Sequence, residues 1–155
     1  MSLAAVNLPK YATTLNRGVG VLGTGASTVG ATLIGIDGIA ADAKIVYTAG
    51  AFGGMCESLI LSTDNSAAAI AVIVYVLDGL VVHPLGIVAV PLSSGTLGTA
   101  YAVDAVGILV GLPVNSVYRK YIPLNANQTI KIAVIAAMTA NKYVWASSSG
   151  VDFVA

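Results

Sequence analysis

Charge is scarce in this chain. Only 9% of its 155 residues are Asp, Glu, Lys or Arg, against about 25% in an average soluble domain. The seven basic and seven acidic residues cancel, and no two basic residues adjoin except Arg119-Lys120. That leaves no footprint for a phosphate backbone, so nucleic acid is not an expected partner. One cysteine, Cys56, excludes an intrachain disulfide and a thiolate metal cluster; a lone free cysteine is read as a small buried hydrophobe rather than a nucleophile. One histidine, His83, means that any Ser/His/Asp or Cys/His site must pass through it. It stands directly before Pro84 in a strand-like run and beside no acidic residue, which reads as a strand or interface histidine. Residues 1–10 lack a basic n-region followed by an apolar h-region, so no signal peptide is expected.

Apolar residues fill the space that charge leaves. The chain is 57% hydrophobic with a mean hydropathy of +0.88, values that suit a membrane protein. Yet the apolar runs at 67–77, 80–90 and 130–138 are rich in Val and Ile, have strand length, and are bounded by turn signals: Asp78-Gly79, Pro91 with Ser93-Ser94-Gly95, and Asn125 to Asn127. Two longer stretches, 18–36 and 79–103, are free of charge over a spanning length. The first is rich in Gly, Thr and Ser, and the second is broken by His83, Pro84, Pro91 and a Ser-Ser-Gly turn. Neither makes a persuasive membrane helix. A small membrane protein such as a holin is a lesser functional alternative, and no membrane partner is expected. The charge deficit instead points to an exterior covered by copies of the chain or by other proteins.

Along the chain, residues 1–30 are poor in strand signals and rich in glycine, which reads as an extended N-terminal arm preceding a domain at 31–155. Residues 43–49 alternate, with Lys44, Val46 and Thr48 on one face and Ala43, Ile45, Tyr47 and Ala49 on the other. The glycines of 50–54 predict a hairpin loop into a partner strand at 55–63. Residues 67–77 are apolar on both faces, the pattern of a central strand covered twice. Asp78-Gly79 predicts a hairpin into 80–90, where Pro84 calls for a bulge or a sheet edge. Residues 95–110 carry helical spacing, closed by Gly111 and Pro113. Strands follow at 118–124, 129–139 (Ile130, Ile132, Val134, Ala136 and Met138 inward) and 142–149, with a turn at 125–128. The sum is an all-β, single-domain β-sandwich, jelly-roll-like, with one short helix.

Catalytic chemistry is hard to find. Gly18-Val19-Gly20-Val21-Leu22-Gly23 matches the dinucleotide fingerprint, with Asp42 downstream, but no hydrophobic strand precedes it and no helix-forming segment follows, so no cofactor is expected. The carboxylates Asp37, Asp42, Glu57, Asp64, Asp78, Asp104 and Asp152 are scattered singly, several in turns where Asp is favoured for local hydrogen bonding. Neither a metal site nor a catalytic set is expected from them, and the chain does not read as an enzyme. Tyr118, Tyr121, Tyr143 and Trp145 offer stacking surface for a sugar, but packing at subunit contacts is the commoner use of such residues. The interface candidates are Tyr75, Leu80, Val82, His83, Tyr118, Tyr121 and Trp145.

One resemblance adds to this reading. The order Ile45-Val46-Tyr47-Thr48-Ala49-Gly50-Ala51, Ser58-Leu59 with Ser62-Thr63-Asp64, Val74-Tyr75-Val76-Leu77-Asp78-Gly79, Leu112-Pro113, Tyr121-Ile122-Pro123-Leu124 and Gly150-Val151-Asp152-Phe153 resembles the capsid decoration, or cement, proteins of tailed bacteriophages. The likeness spans about residues 44–153 and leaves 1–43 outside. It implies a homo-oligomeric β-sandwich, often a trimer, made in the bacterial host cytoplasm and bound to the major capsid protein on the capsid exterior, where it bridges neighbouring capsomers. A tail or receptor-binding β-sandwich recognising glycans is the alternative reading.

Overall fold

The structure, a computed structural model, describes residues 12–22, 43–95, 100–135, 138 and 142–154. Among them are nine strands and one helical turn: β1 (Ala12–Leu22), β2 (Lys44–Thr48), β3 (Gly54–Thr63), β4 (Ile70–Asp78), β5 (Val81–Val90), β6 (Val103–Asp104), α1 (Ala105–Ile108), β7 (Ile122–Leu124), β8 (Thr129–Val134) and β9 (Val144–Phe153). They form two antiparallel sheets packed as a sandwich, ordered β1-β9-β3-β6, with β7 also on β3, and β2-β8-β4-β5. The pairing is nested. β1 pairs β9 and β2 pairs β8, while β3 takes β6 and β7, and β4 turns back on β5. The innermost unit of this nest is the hairpin expected at 78–80, where Gly79 at φ 58° opens a two-residue loop.

Side chains from both sheets meet in one core that includes Val46, Tyr47, Leu59, Leu61, Val72, Val74, Val88, Ile130, Ile132 and Val144. On β8 the inward set Ile130, Ile132 and Val134 is buried as alternation requires. The second covering of β4 is present too: Ile73 and Tyr75 point away from the main core and are buried with Ala133, with Ala43, Val82 and Ile135 against them. Pro84 lies in β5, the edge of its sheet, and the ladder shifts register beside it, between Val74 and Tyr75. A missing N–H and a kinked ladder both discourage pairing with another sheet.

Several expectations are corrected. Residues 12–22, assigned to an arm, form a strand of the sandwich: β1 pairs with β9, without a break in register from Thr14 to Leu22, and lies against β2. Among its described side chains the inward positions are Asn16, Gly18 and Gly20, which give no apolar stripe to be read. Residues 1–11 and 23–42 lie outside the described residues. The glycine-rich 50–54 segment is no hairpin, because β2 and β3 belong to different sheets; the turn closed by Gly53 N to Gly50 O (3.0 Å) carries the chain across the sandwich. The expected alternation of 43–49 breaks at a bulge between Ile45 and Tyr47, which buries both Val46 and Tyr47. Of the helix expected over 95–110, residues 96–99 lie outside the described residues and the described remainder is helical only in α1, whose N-terminus Asp104 caps by accepting from Val106 N (3.1 Å). Of the strand expected at 118–124 only β7 remains, since Tyr118 takes φ 61°.

Candidate interaction surface

An excursion from Tyr101 to Tyr121, running through β6 and α1 up to β7, carries a cluster of exposed apolar side chains. Tyr101 is 95% exposed, Val110 83% and Tyr118 91%, with Ile108, Val114 and Val117 also exposed. Local polar groups hold this segment in shape. Asn115 Oδ1 accepts from Val117 N (3.1 Å) and Arg119 N (2.9 Å), and Asn115 O accepts from Tyr118 N (3.0 Å). Lys120 Nζ donates to the carbonyls of Gly107 (3.0 Å) and Leu109 (2.8 Å), satisfying acceptors that the short helix leaves open. The result is a knuckle of ordered backbone presenting apolar side chains to solvent.

Two clefts flank it. The first, about 410 Å³, is lined by Glu57, Asp104, Arg119 and Lys120 with Tyr118 at its border. Its carboxylates are engaged in structure: Asp104 Oδ1 accepts from Leu59 N (3.3 Å) and caps α1, while Glu57 accepts from Asn115 Nδ2 (3.3 Å). The second, about 440 Å³, opens at one end of the sandwich, with Val76, Leu85, Leu112 and Ile122 among its apolar lining and Asp78, His83, Asn125 and Gln128 as its polar groups. Gln128 Nε2 donates to Asp78 Oδ2 (3.0 Å) and Gln128 Oε1 accepts from Asn125 N (2.8 Å). The fold thus gives His83 an acidic neighbour in the same cleft, which the linear sequence does not.

The outer face of the β1-β9-β3 sheet is a second broad surface. Leu15, Arg17 and Val19 stand opposite Val151, Ser149 and Ser147 of β9, which in turn face Met55, Ser58 and Ile60 of β3. Arg17 is its one charge among these nine positions, so the surface is suited to a protein contact rather than to an ionic ligand.

The sequence-derived candidates separate into groups. Leu80 is 81% exposed at the β4–β5 hairpin tip, and His83 lines the second cleft. Tyr75 is buried and Val82 packs beside it. Tyr118 and Tyr121 share the excursion, and Trp145 lies on β9, in the sheet that also holds β6 and β7, its ring 5.8 Å from that of Tyr143 and tilted by 33°. Sequence reasoning missed Tyr101, Val110 and Val117: the first two fall in the segment 95–110 expected as a helix, and Val117 falls in none of the expected elements. For Val110 and Val117 the available signal was the turn formers Gly111, Pro113 and Asn115 between them. Among the described residues no three His, Cys, Asp or Glu side chains gather as a metal site, and no helix is long and apolar enough to cross a membrane.

Three buried groups make stability sensitive to alkali. Burial pushes the Cys56 thiol from its ordinary 9.0 up to about 12 and the Tyr75 phenol from 10.0 up to about 12. Burial, with the charge of Asp152, also raises Tyr47. A group whose folded pKa is raised keeps its full stabilising contribution below its unfolded pKa and loses it as pH climbs through the folded value. Urea midpoints should therefore hold level up to pH 9, fall from there as the unfolded thiol ionises, and fall faster above pH 10 as the phenols join. Cys56→Ala should remove the loss between pH 9 and 10; an unchanged profile would contradict the assignment.

No family model matches the chain, and no curated protein matches it. Among solved structures, a chain described as "Cyanophage Pam1 capsid asymmetric unit" is similar at 15% sequence identity over 97% of this chain and 96% of that one, with a TM-score of 0.45.

Proposed function

We propose that this chain is a non-enzymatic structural protein of a tailed-bacteriophage virion, made in the host cytoplasm and bound to the major capsid protein on the capsid exterior. It self-associates, as a trimer, and bridges neighbouring capsomers. The observation that carries this reading is the exposed apolar surface of the 101–118 excursion, the β4–β5 hairpin tip and the outer face of β1. A monomer in water gains nothing from such a surface, whereas a lattice protein covers it. The residue likeness over 44–153 supports the same reading. So does the nested pairing of the described strands, β1 with β9 and β2 with β8, a pattern that suits the expected jelly roll, an architecture used by viral capsid domains.

The work required is mechanical. Internal pressure pushes capsomers apart, and a bridging protein opposes it by contact area: about 25 cal/mol per Å² of apolar surface buried, less the cost of association. Repetition over a lattice turns modest contacts into avidity. Leu80, His83, Tyr118, Tyr121 and Trp145 are the proposed contact residues, with Val82 and buried Tyr75 supporting the β4–β5 face.

The test is cosedimentation with purified phage heads that lack the protein. Saturable retention should persist at 1 M salt, where the Debye length is about 3 Å, since apolar burial rather than charge holds the contact. Binding that vanishes in salt, or no binding, would sink the reading.

A further inference from the structure

Tyr118 combines features that rarely coincide. It is a bulky aromatic residue in the left-handed region (φ 61°) and is 91% exposed. A non-glycine residue pays for that conformation, and such strain persists where the surrounding structure imposes it. Here the imposing structure is the Asn115 turn, which binds the backbone N–H groups on both sides of Tyr118 and that of Tyr118 itself. The strain yields no packing within the chain; it holds the ring out in solvent. Arg119 follows, exposed, its guanidinium without a hydrogen-bond or ion-pair partner among the described residues. Aromatic rings and arginines held ready in this way are the residue types that anchor interfaces.

The same chain carries a complement to this knob. The cleft at the end of the sandwich has an apolar lining from Val76, Leu85 and Ile122 and a carboxylate, Asp78, held by Gln128. A carboxylate can accept several hydrogen bonds, so Asp78 has capacity for a guanidinium beyond the bond it takes from Gln128. At about 440 Å³ the cleft has the size of sites that enclose small organic groups.

We propose that the Tyr118-Arg119 knob of one copy seats in the Asp78/His83 cleft of the next, the ring on the apolar lining and the guanidinium on Asp78. Complementary charge, aromatic to apolar and cation to anion, selects a second copy as the occupant. Such a contact closes a two-fold pair when each copy's knob enters the other's cleft, and a ring when it runs head-to-tail and the rotation between copies permits. The proposal rests on the self-association in the functional reading and names the residues that produce it.

Multi-angle light scattering on the full chain reads the result. Wild type should elute as an oligomer of the 15.5 kDa protomer. Y118G, which keeps the left-handed backbone and deletes the ring, should elute at protomer mass with an unfolding midpoint no lower than that of wild type. R119E and D78K should each dissociate the oligomer, and the double variant should restore it. A monomeric wild type, or an oligomer indifferent to all of these changes, overturns the contact. Head cosedimentation is read separately: a monomer that binds heads removes this contact and leaves the virion reading in place, while an oligomer that dissociates as described but ignores heads does the reverse.

Discussion

Gly18→Ala should cost about 3 kcal/mol or more, the upper end of what overpacking does, and detach β1 from the sandwich. A Cβ at Gly18 would collide with the carbonyl oxygen of Val46, with the carbonyl carbon at 2.7 Å and Ser148 Oγ at 2.8 Å. The obstacle is the backbone of β2, which cannot swing aside as a side-chain tip can. Ser148 Oγ donates to that same Val46 carbonyl (2.5 Å), so moving it would also break a buried hydrogen bond. Gly20 repeats the arrangement one step along, where an added Cβ would meet Val46 Cγ1 at 2.7 Å. Gly107→Ala is the matched control, since its Cβ would meet the Asp104 carboxyl group at 3.8 Å (Oδ2) and 4.0 Å (Cγ), ordinary van der Waals contact, and its urea midpoint should stay near that of wild type. Equal midpoints for the two variants would mean that β1 does not dock on β2.

The same collision explains a motif. The GxGxxG run at 18–23 looks like a phosphate-binding turn, yet its first two glycines lie inside β1, and their missing side chains let the edges of two sheets approach. It also explains why β1 could not be read as a strand. Alternation becomes legible when inward positions are apolar, and here they are Asn16, Gly18 and Gly20, while Leu15 and Val19 face solvent. The β4–β5 hairpin was legible because everything that specifies it is local: two apolar runs, Asp78-Gly79 between them, and Pro84 to mark the edge. The turn at 50–53 was equally local and misleading, since a turn reverses the chain without stating which sheet receives it. Bulges hid the rest. The register shift between Cys56 and Ser58 puts Cys56, Leu59 and Leu61 together in the core, where strict alternation would separate the cysteine from the leucines.

The candidate surface was legible in kind and not in place. Scarce charge announced an apolar exterior, and Tyr118 was among the aromatic residues read as interface candidates. Whether a given valine is inside or outside depends on contacts distant in sequence, which is why Val110, within the segment expected as a helix, was not read as exposed. The meeting of His83 with Asp78, Asn125 and Gln128 likewise depends on β8 lying beside β4.

Tyr47→Ala should cost about 4 kcal/mol, the usual loss for deleting a buried aromatic side chain, whereas Tyr47→Phe should cost about 1 kcal/mol, the net worth of one hydrogen bond. Tyr47 is 1% exposed and is among the largest fully buried side chains. Its hydroxyl stands 3.3 Å from Met55 O and 3.4 Å from Asp152 Oδ1. Asp152 is held independently by Asn16 Nδ2, 3.0 Å from each carboxylate oxygen, and the same amide donates to Thr48 O (2.7 Å). Residues of β1, β2, β3 and β9 therefore converge at one corner that ties the two sheets together. Removing the hydroxyl alone leaves Asp152 its Asn16 partner and costs little. Removing the ring empties the space between the sheets where the β2 bulge has turned Tyr47 inward, and neighbouring strands pinned by their own ladders cannot collapse to fill it. Urea denaturation of both variants at pH 7 separates the effects: a phenylalanine variant as unstable as the alanine one would assign the corner to its polar network, and an alanine variant within about 1 kcal/mol of wild type would remove Tyr47 from the core.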